Sequence, residues 1–326
     1  MSSLSNIAWR KFKKDKLGMV GLFLIALTSL VAILGYSILP DSTPYSNKMN
    51  LELAAQSPGL TTDVLLVEKV EVKQVSFFEK MLFGQKSKFI ETPISSYKVI
   101  GDTLFFLPFS ESKDGDWKSI LNIDCQIKSR TYLFGTDTYG RDLLSRIFSG
   151  SRVSLAVGFI SVFISLLIGI TLGLCAGYFG GRVDEIIMWL VNVVWSIPTL
   201  LMVIAISLAL GKGFWQVFVA VGLTMWVEVA RVVRGQVLSV REQEYIEASK
   251  VMGFGSFRIL FKHILPNVTA AVIVISAANF ASAILIEAGL SFLGIGAQPP
   301  MASWGSMIKD HYAYIIMNKA YLAVIP

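Results

Sequence analysis

What the 326-residue sequence lacks narrows its function before any motif is considered. Only 16% of residues are charged while 54% are hydrophobic, against about a quarter charged in an ordinary soluble domain; with a mean hydropathy of +0.61, the chain reads as a membrane protein. Cysteine is nearly absent: Cys125 and Cys175 form no CxxC spacing and fall in different environments, so neither a disulfide nor a metal site follows. The two histidines, His263 and His311, fall on opposite sides of the membrane in the topology read below, which removes a histidine metal site. No GxxxxGK[ST] loop, HExxH pair, nucleophile elbow or carboxylate cluster is present, and Gly211-Lys-Gly213 is only a short loop. The chain has no catalytic site of its own, and nucleotide-driven work requires another chain to bind the nucleotide.

The charges are also unevenly placed. Uncharged stretches run from Leu17 to Pro40, Val153 to Phe179, Ile186 to Gly211 and Asn267 to Ile286, each long enough to meet the roughly 20 residues a spanning helix needs. A fifth span starts at Phe214 and emerges among Glu228, Arg231 and Arg234, which can snorkel to the interface. The uncharged stretch Ala288 to Ile308 holds Gly289, Gly294, Gly296, Pro299, Pro300 and Gly305, so it reads as an external or re-entrant loop, with the last span ending near Glu287.

Arg10, Lys11, Lys13, Lys14 and Lys16 precede the first span and place the N-terminus in the cytoplasm. The apolar stretch after them is longer than a signal-peptide core and lacks a small-x-small cleavage site, so it reads as a retained anchor. The segment Asp41 to Arg152 carries 14 basic and 14 acidic residues, so the net charge of +6 is an orientation signal rather than a nucleic-acid footprint. Within it, residues 41–133 read as a β-rich extracytoplasmic insertion. Val70-Glu-Val-Lys73, Tyr97-Lys-Val-Ile100 and Thr103-Leu-Phe-Phe-Leu107 alternate or are β-branched, between turn signals at Ser57-Pro-Gly59, Gly101-Asp102 and Asp114-Gly115. The domains read are therefore 1–40 (basic N-terminus and first span), 41–133 (insertion) and 134–326 (membrane core).

Gly135 and Gly140 permit tight backbone, and Asp137, Arg141 and Asp142 are expected to pair at the external surface. Leu143, Leu144, Ile147 and Phe148 then suggest an amphipathic helix at the outer interface. Between the fourth and fifth spans, Tyr245, Ala248, Ser249 and Met252 recur at helical spacing, Gly253 and Gly255 break the helix, and Phe257, Leu260, Phe261 and Ile264 resume it until Pro266. This cytoplasmic loop, about 234–266, is a helix-turn-helix whose small residues admit a close protein partner, or else a surface connector lying on lipid headgroups.

Glu247-Ala248-Ser249, three residues, Gly253, then Leu265-Pro266 resembles the EAA loop of ABC importer permeases, with Ser249 where a second Ala is usual and His263 where Ile is frequent. Phe134-Gly-Thr-Asp with Gly140-Arg-Asp142, His263-Ile-Leu-Pro-Asn267, Glu287-Ala-Gly-Leu-Ser-Phe-Leu-Gly-Ile-Gly296, Gln298-Pro-Pro300 and Trp304-Gly305 resemble the C-type permease of dipeptide and oligopeptide importers. The resemblance covers roughly 134–305. It implies a mainly α polytopic type I importer fold in the bacterial plasma (inner) membrane. It also implies a homologous B-type permease as heterodimer partner, two ATP-binding subunits carrying ATP and Mg, and an extracytoplasmic substrate-binding protein. By the same carry-over Glu247, Ala248 and Gly253 couple the chain to an ATPase.

For the pathway, Trp195, Ser196 and Pro198 in the third span and Asn279 in the fifth are candidate lining residues, although such Ser and Asn side chains also serve to bond neighbouring helices. A stand-alone secondary transporter or channel calls for intramembrane carboxylates or broken-helix repeats, and only Glu228 qualifies, three residues from a pairing partner in Arg231. A membrane anchor with a working β-rich insertion is a third class. Dipeptides, longer peptides, glutathione and nickel chelates are all cargoes of the resembled family. That family has six spans, and Tyr321 to Pro326 reads as the start of a sixth, so the sequence predicts a longer natural chain.

Overall fold

A computed structural model describes residues 9–69, 75–109, 116–121, 125–211 and 213–326. The strand expected at Val70–Lys73 and the turn at Asp114-Gly115 lie outside the described residues. By internal packing the chain divides into two compact units, 1–153 with 299–326, and 154–298.

The first unit begins with α1 (Lys16–Ile38), started by Asp15, whose carboxylate accepts from the Leu17 amide. Most of its apolar side chains are exposed, the signature of a helix meant for lipid. A five-stranded antiparallel sheet follows, with β1 (Leu60–Glu68), β2 (Phe89–Ile100), β3 (Thr103–Pro108), β4 (Lys118–Leu121) and β5 (Cys125–Tyr132) in the order β4-β3-β2-β1-β5. The β-rich reading of this region holds, and Gly101-Asp102 makes the expected β2–β3 hairpin turn, with Ile100 facing Thr103 and Gly101 at a φ of +60°. Alternation places Leu65, Ile94, Leu104 and Phe106 in one small core. A short helix, α2 (Phe77–Phe83), lies between β1 and β2 and packs against α1. At the far end of the chain, α10 (Trp304–His311) opens on a Ser303 capping box, and α11 (Tyr321–Val324) follows. Met307 and Leu322 from these helices join Ala55, Leu143 and Ala302 in a second core.

The second unit is helical. One helix, α3 (Leu143–Phe179), runs unbroken for 37 residues from the first unit into it. The separate interfacial helix expected at Leu143 is therefore not present: Leu143 is fully buried, and nothing in the following sequence interrupts the helix. The expected third span is broken into α4 (Gly181–Trp195) and α5 (Thr199–Leu210), bent by 89°. Pro198 has no amide to donate and forces the residue before it out of helical geometry, which separates the two pieces. Then come α6 (Phe214–Arg241), α7 (Glu244–Val251), α8 (Ser256–Ile259), a π-helical turn (Leu260–Ile264) and α9 (Leu265–Phe292). Among the described residues four helices are long and apolar enough to span a membrane, or five with the bent pair counted as one.

Two expectations about the last span change. Pro266 does not end the element: in the first turn of α9 a missing amide costs nothing, and the π turn just before it supplies the continuity, with the Leu265 amide bonded to the Leu260 carbonyl. At its other end α9 passes through Gly289 to Phe292, so irregular backbone starts at 293 rather than 288.

The contact that sets the spacing of this unit is a glycine seam. On α3, Gly169, Gly173 and Gly177 recur every fourth residue. A Cβ at each would lie 2.5–2.7 Å from the Cβ of Val229, Val233 and Val237, respectively, on α6. Gly222 repeats the arrangement from the α6 side against Ile164, where a Cβ would lie 2.7 Å from the Ile164 Cβ. Small residues at this spacing let two helix backbones meet closely. The Ser161 hydroxyl adds a bond to the Phe218 carbonyl at 3.1 Å.

Gly173→Ala is expected to destabilise the purified chain in detergent by about 1–3 kcal/mol through overpacking. Gly235→Ala, where nothing lies within 4 Å of the added methyl, leaves the thermal midpoint unchanged or slightly raised; equal midpoints for both variants would remove the seam from this account.

Candidate functional site

The loop after α6 is built from its buried face outward. Ile246 is fully buried and Ser249 nearly so, whereas Tyr245, Glu247, Ala248 and Met252 are exposed. Of the partner-facing residues expected from the spacing, Tyr245, Ala248 and Met252 are exposed, and only Ser249 turns inward. Ile246 enters a core with Val233 and Val237 of α6, Leu174 of α3 and Ile259, Leu260 and Ile264 beyond the turn. The sequence signal was present, since Ile246 is the one branched aliphatic residue between Glu242 and Lys250. Ser249 donates to the Tyr245 carbonyl at 2.7 Å, satisfying its hydroxyl inside the helix.

Gly253 ends α7 in a Schellman motif. The Phe254 amide bonds to the Ser249 carbonyl, the Gly253 amide bonds to that of Lys250, and Gly253 takes a φ of +76°. Phe254 then packs on the same core. Past the turn Phe257 and Phe261 are exposed and stacked, 5.6 Å between centroids, while Leu260 and Ile264 are buried. The grouping of these four on one face fails because the π turn inserts an extra residue into the helical repeat. Leu265 is half-buried and Pro266 exposed at the start of α9. The outcome is a short helix pinned from beneath, with an outer surface of Tyr245, Glu247, Ala248, Val251 and Met252.

The break between α4 and α5 opens a second feature, a cavity of about 350 Å³ lined by Trp195, Thr199, Thr224, Glu228 and Ser282 among apolar side chains. Of the candidate pathway residues, Trp195 lines it. Ser196 folds back on the Val193 carbonyl at 2.7 Å, Pro198 makes the bend, and Asn279 is buried in α9 away from the cavity wall. Glu228 contributes a carboxylate to the wall and forms no ion pair with Arg231 among the described residues. Arg231 instead donates to Asn192 at 2.8 Å and stacks on Trp195, 3.7 Å from the ring centroid, so the turn of α6 presents it to α4. One turn on, Arg234 grips Asp184 of α4 with two bonds of 2.5 and 2.6 Å, and Arg241 donates to the Gly177 carbonyl at 2.8 Å.

Asp137 and Arg141 do pair, but in the interior of the first unit rather than at its surface, whereas Asp142 forms no ion pair among the described residues. Asp137 is fully buried; it accepts from the amides of Tyr139 and Arg141, both at 2.9 Å, and from the Arg141 guanidinium at 2.6 Å. Arg141 reaches on to Asn47 at 2.9 Å. Asp142 accepts from the amide and hydroxyl of Ser145, and burial pushes its carboxyl up while those bonds draw it down. Gly135 and Gly140 let the 50–57 segment press onto this loop, where a Cβ would lie 2.3 Å from the Gln56 carbonyl and 1.7 Å from that of Asn50. The partners come from segments some 90 residues away, which is why local spacing placed these charges outside.

Glu287 is likewise not at an exposed interface. It is buried in α9 and accepts from Ser291 at 2.6 Å, and Ser291 accepts from the Ala297 amide at 3.0 Å. A Cβ on Gly296 would fall 2.1 Å from the Ser291 hydroxyl. The stretch Glu287–Gly296 is thus a folded terminus for α9.

Comparison with known proteins identifies the family. A family model described as the binding-protein-dependent transport system inner membrane component matches residues 169–325, and one described as the N-terminal TM domain of oligopeptide transport permease C matches residues 3–58. The oligopeptide transport system permease protein OppC of Bacillus subtilis is 38% identical over 244 residues, 74% of this chain and 80% of that protein. The dipeptide transport system permease protein DppC of Lactococcus lactis is 31% identical over 307 residues, 94% of this chain and 79% of that protein. The glutathione transport system permease protein GsiD of Pectobacterium atrosepticum is 40% identical over 198 residues, 61% of this chain and 65% of that protein. Among solved structures, the MetNI methionine ABC transporter in an inward-facing conformation matches 56% of this chain and 88% of its own, at 22% identity and a TM-score of 0.45. The chain belongs to the oligopeptide and dipeptide permease C family of binding-protein-dependent inner-membrane transport components, the permease subunits of ABC importers.

Proposed function

We propose that this multi-pass inner-membrane subunit forms one half of a peptide pathway, paired with a homologous B-type permease, fed by an extracytoplasmic binding protein and driven by two ATP-binding subunits. ATP and Mg are placed on those subunits, since this sequence has no phosphate-binding loop. The basic N-terminus is placed in the cytoplasm, which puts the α6–α9 loop there as well and the sheet outside.

The observation that carries this reading is the build of α7: Ile246 anchored in the core of α6 and α9, and Tyr245, Glu247, Ala248, Val251 and Met252 exposed around a fixed glycine turn. A helix held in this way passes a push from a docked ATPase into α6 instead of flexing. Gly253 keeps the angle, Ser249 lies against the body, and Leu265-Pro266 carries the motion into α9. Closure of the ATPase pair then biases the permease between inward-open and outward-open states through the different contacts each state offers. On the pathway side, Trp195, Thr224, Glu228 and Ser282 give the cavity an aromatic wall, hydroxyls and one carboxylate, a lining that suits a zwitterionic peptide. The glutathione permease among the relatives supports a second cargo, a γ-linked peptide, within the same mechanism.

Glu247→Arg is expected to leave the chain in the membrane at its usual amount, because the side chain is exposed, and to lower ATP-driven peptide uptake into vesicles of the reconstituted importer by at least about tenfold, the scale of a 1.4 kcal/mol loss of coupling. Undiminished uptake would contradict docking through α7. Glu228→Gln is expected to raise the half-saturating peptide concentration or lower the maximal rate, with ATP hydrolysis retained; transport kinetics identical to the parent would take the cavity out of the pathway.

A further inference from the structure

The helix α2 presents an apolar surface that the transport mechanism does not use. Its seven residues, Phe-Phe-Glu-Lys-Met-Leu-Phe, leave Phe77 62%, Phe78 69%, Leu82 51% and Phe83 69% exposed, while Met81 is half-buried. Four large apolar side chains on two turns are not the surface of a helix that faces water. The helix is also not a loose excursion from the sheet. Gly84, at a φ of +76°, ends it with no room for a side chain: a Cβ would lie 2.8 Å from the Ser42 carbonyl and 2.9 Å from the Pro44 nitrogen. The Gln85 amide bonds to that same Ser42 carbonyl at 2.9 Å. The C-terminal end of α2 is thereby fixed to the residues that leave the first span.

Its depth follows from Arg152. This guanidinium donates to the Leu82 carbonyl at 3.0 Å and the Met81 carbonyl at 2.8 Å, capping α2, and to the Ile33 carbonyl of α1 at 3.4 Å, while stacking on Tyr36 at 4.7 Å. Ile33 lies five residues before the end of α1 at Ile38, about 7.5 Å along the axis at 1.5 Å per residue. Helix α2 therefore sits beside the end of the span, at the depth where headgroups meet acyl chains. On α1 itself Leu30, Ile33 and Ile38 are likewise exposed, at 53%, 56% and 63%. Just past α2, Lys86 and Lys88 are exposed, and with Lys80 they border a polar recess next to Pro40 and Asp41, where the span ends. Cationic side chains there meet phosphate groups while their stems stay over apolar surface.

We propose that α2 is an interfacial anchor: Phe77, Phe78, Leu82 and Phe83 insert into the leaflet at the C-terminal end of the first span, with Lys80, Lys86 and Lys88 at the level of the phospholipid phosphates. The β-rich insertion is then held to the bilayer at two points, the span and this helix, which fixes its tilt at the membrane surface. The proposal is independent of the cargo and of the ATP-coupling role.

The test uses the full chain with Cys125 and Cys175 replaced by Ala, carrying a nitroxide at Phe78→Cys or, separately, Phe83→Cys, in vesicles of phosphatidylethanolamine and phosphatidylglycerol. Both labels are expected to be relaxed strongly by oxygen, which concentrates in the bilayer, and weakly by a water-soluble nickel chelate, whereas a label at Tyr97→Cys on the exposed side of β2 shows the reverse order. Labels at both α2 positions that the nickel chelate reaches as readily as at Tyr97 would overturn the proposal by showing a water-facing helix. Labels immobilised and shielded from both reagents would overturn it by showing that protein covers this face.

Discussion

Everything in the helical unit depends on how closely α3 and α6 approach. In a bilayer there is no water to expel between helices, so packing and a few polar bonds must hold them together. Gly169, Gly173 and Gly177 remove the side chains that would keep the two backbones apart, and Val229, Val233 and Val237 fill the space. Because the next layer is built on those same valines, the seam reaches beyond the pair it joins. Val229, Val233 and Val237 also contact the core that receives Ile246, Ile259, Leu260 and Ile264.

Helix α6 is therefore shared between the two candidate sites. Near its C-terminal end it holds α7 through Val237. About two and a half to three and a half turns earlier it lines the cavity with Glu228 and Thr224. Between these points Arg231 and Arg234 bind α4 through Asn192, Trp195 and Asp184. A displacement of α7 thus has a direct physical route to Trp195, through one continuous helix and two charge-assisted contacts, with no flexible link along it. Salt bridges at an exposed surface contribute little to stability, so the Arg234–Asp184 pair is better understood as fixing the orientation of the broken helix than as holding the fold together.

Much of this was legible in the sequence where the physics is local. Gaps between charges located the spans, Gly253 marked the end of α7 because only a residue tolerant of positive φ completes a Schellman motif, and Gly101-Asp102 gave the hairpin. What failed depended on distant partners or on a shift of helical repeat. Asp137 and Arg141 looked like surface charges because Asn47 and the 50–57 backbone that bury them lie far away in sequence. Spacing groups Phe257, Leu260, Phe261 and Ile264 on one face because a π turn cannot be seen in it, and it sets Ser249 with the outer residues of α7 although that side chain turns inward beside Ile246. Glu287 marks only the end of the last span in the sequence, because nothing local shows that Ser291 and Gly296 fold back over it. Pro198 stands where α4 gives way to α5, but the 89° angle between the two helices is not readable from the sequence.

The central claim is that α7 and the body of α3 and α6 move as one piece. It is tested most directly by pulsed electron resonance distances between labels at Tyr245 on α7 and Phe179 at the end of α3, both exposed, in the assembled importer without nucleotide and with ATP trapped. The account predicts that this distance changes by less than the about 1–2 Å of ordinary helix shifts, even as the two permeases rearrange. A larger change within this chain would mean that α7 pivots on its anchor, and the route from the loop to the cavity would then have to run through some other contact.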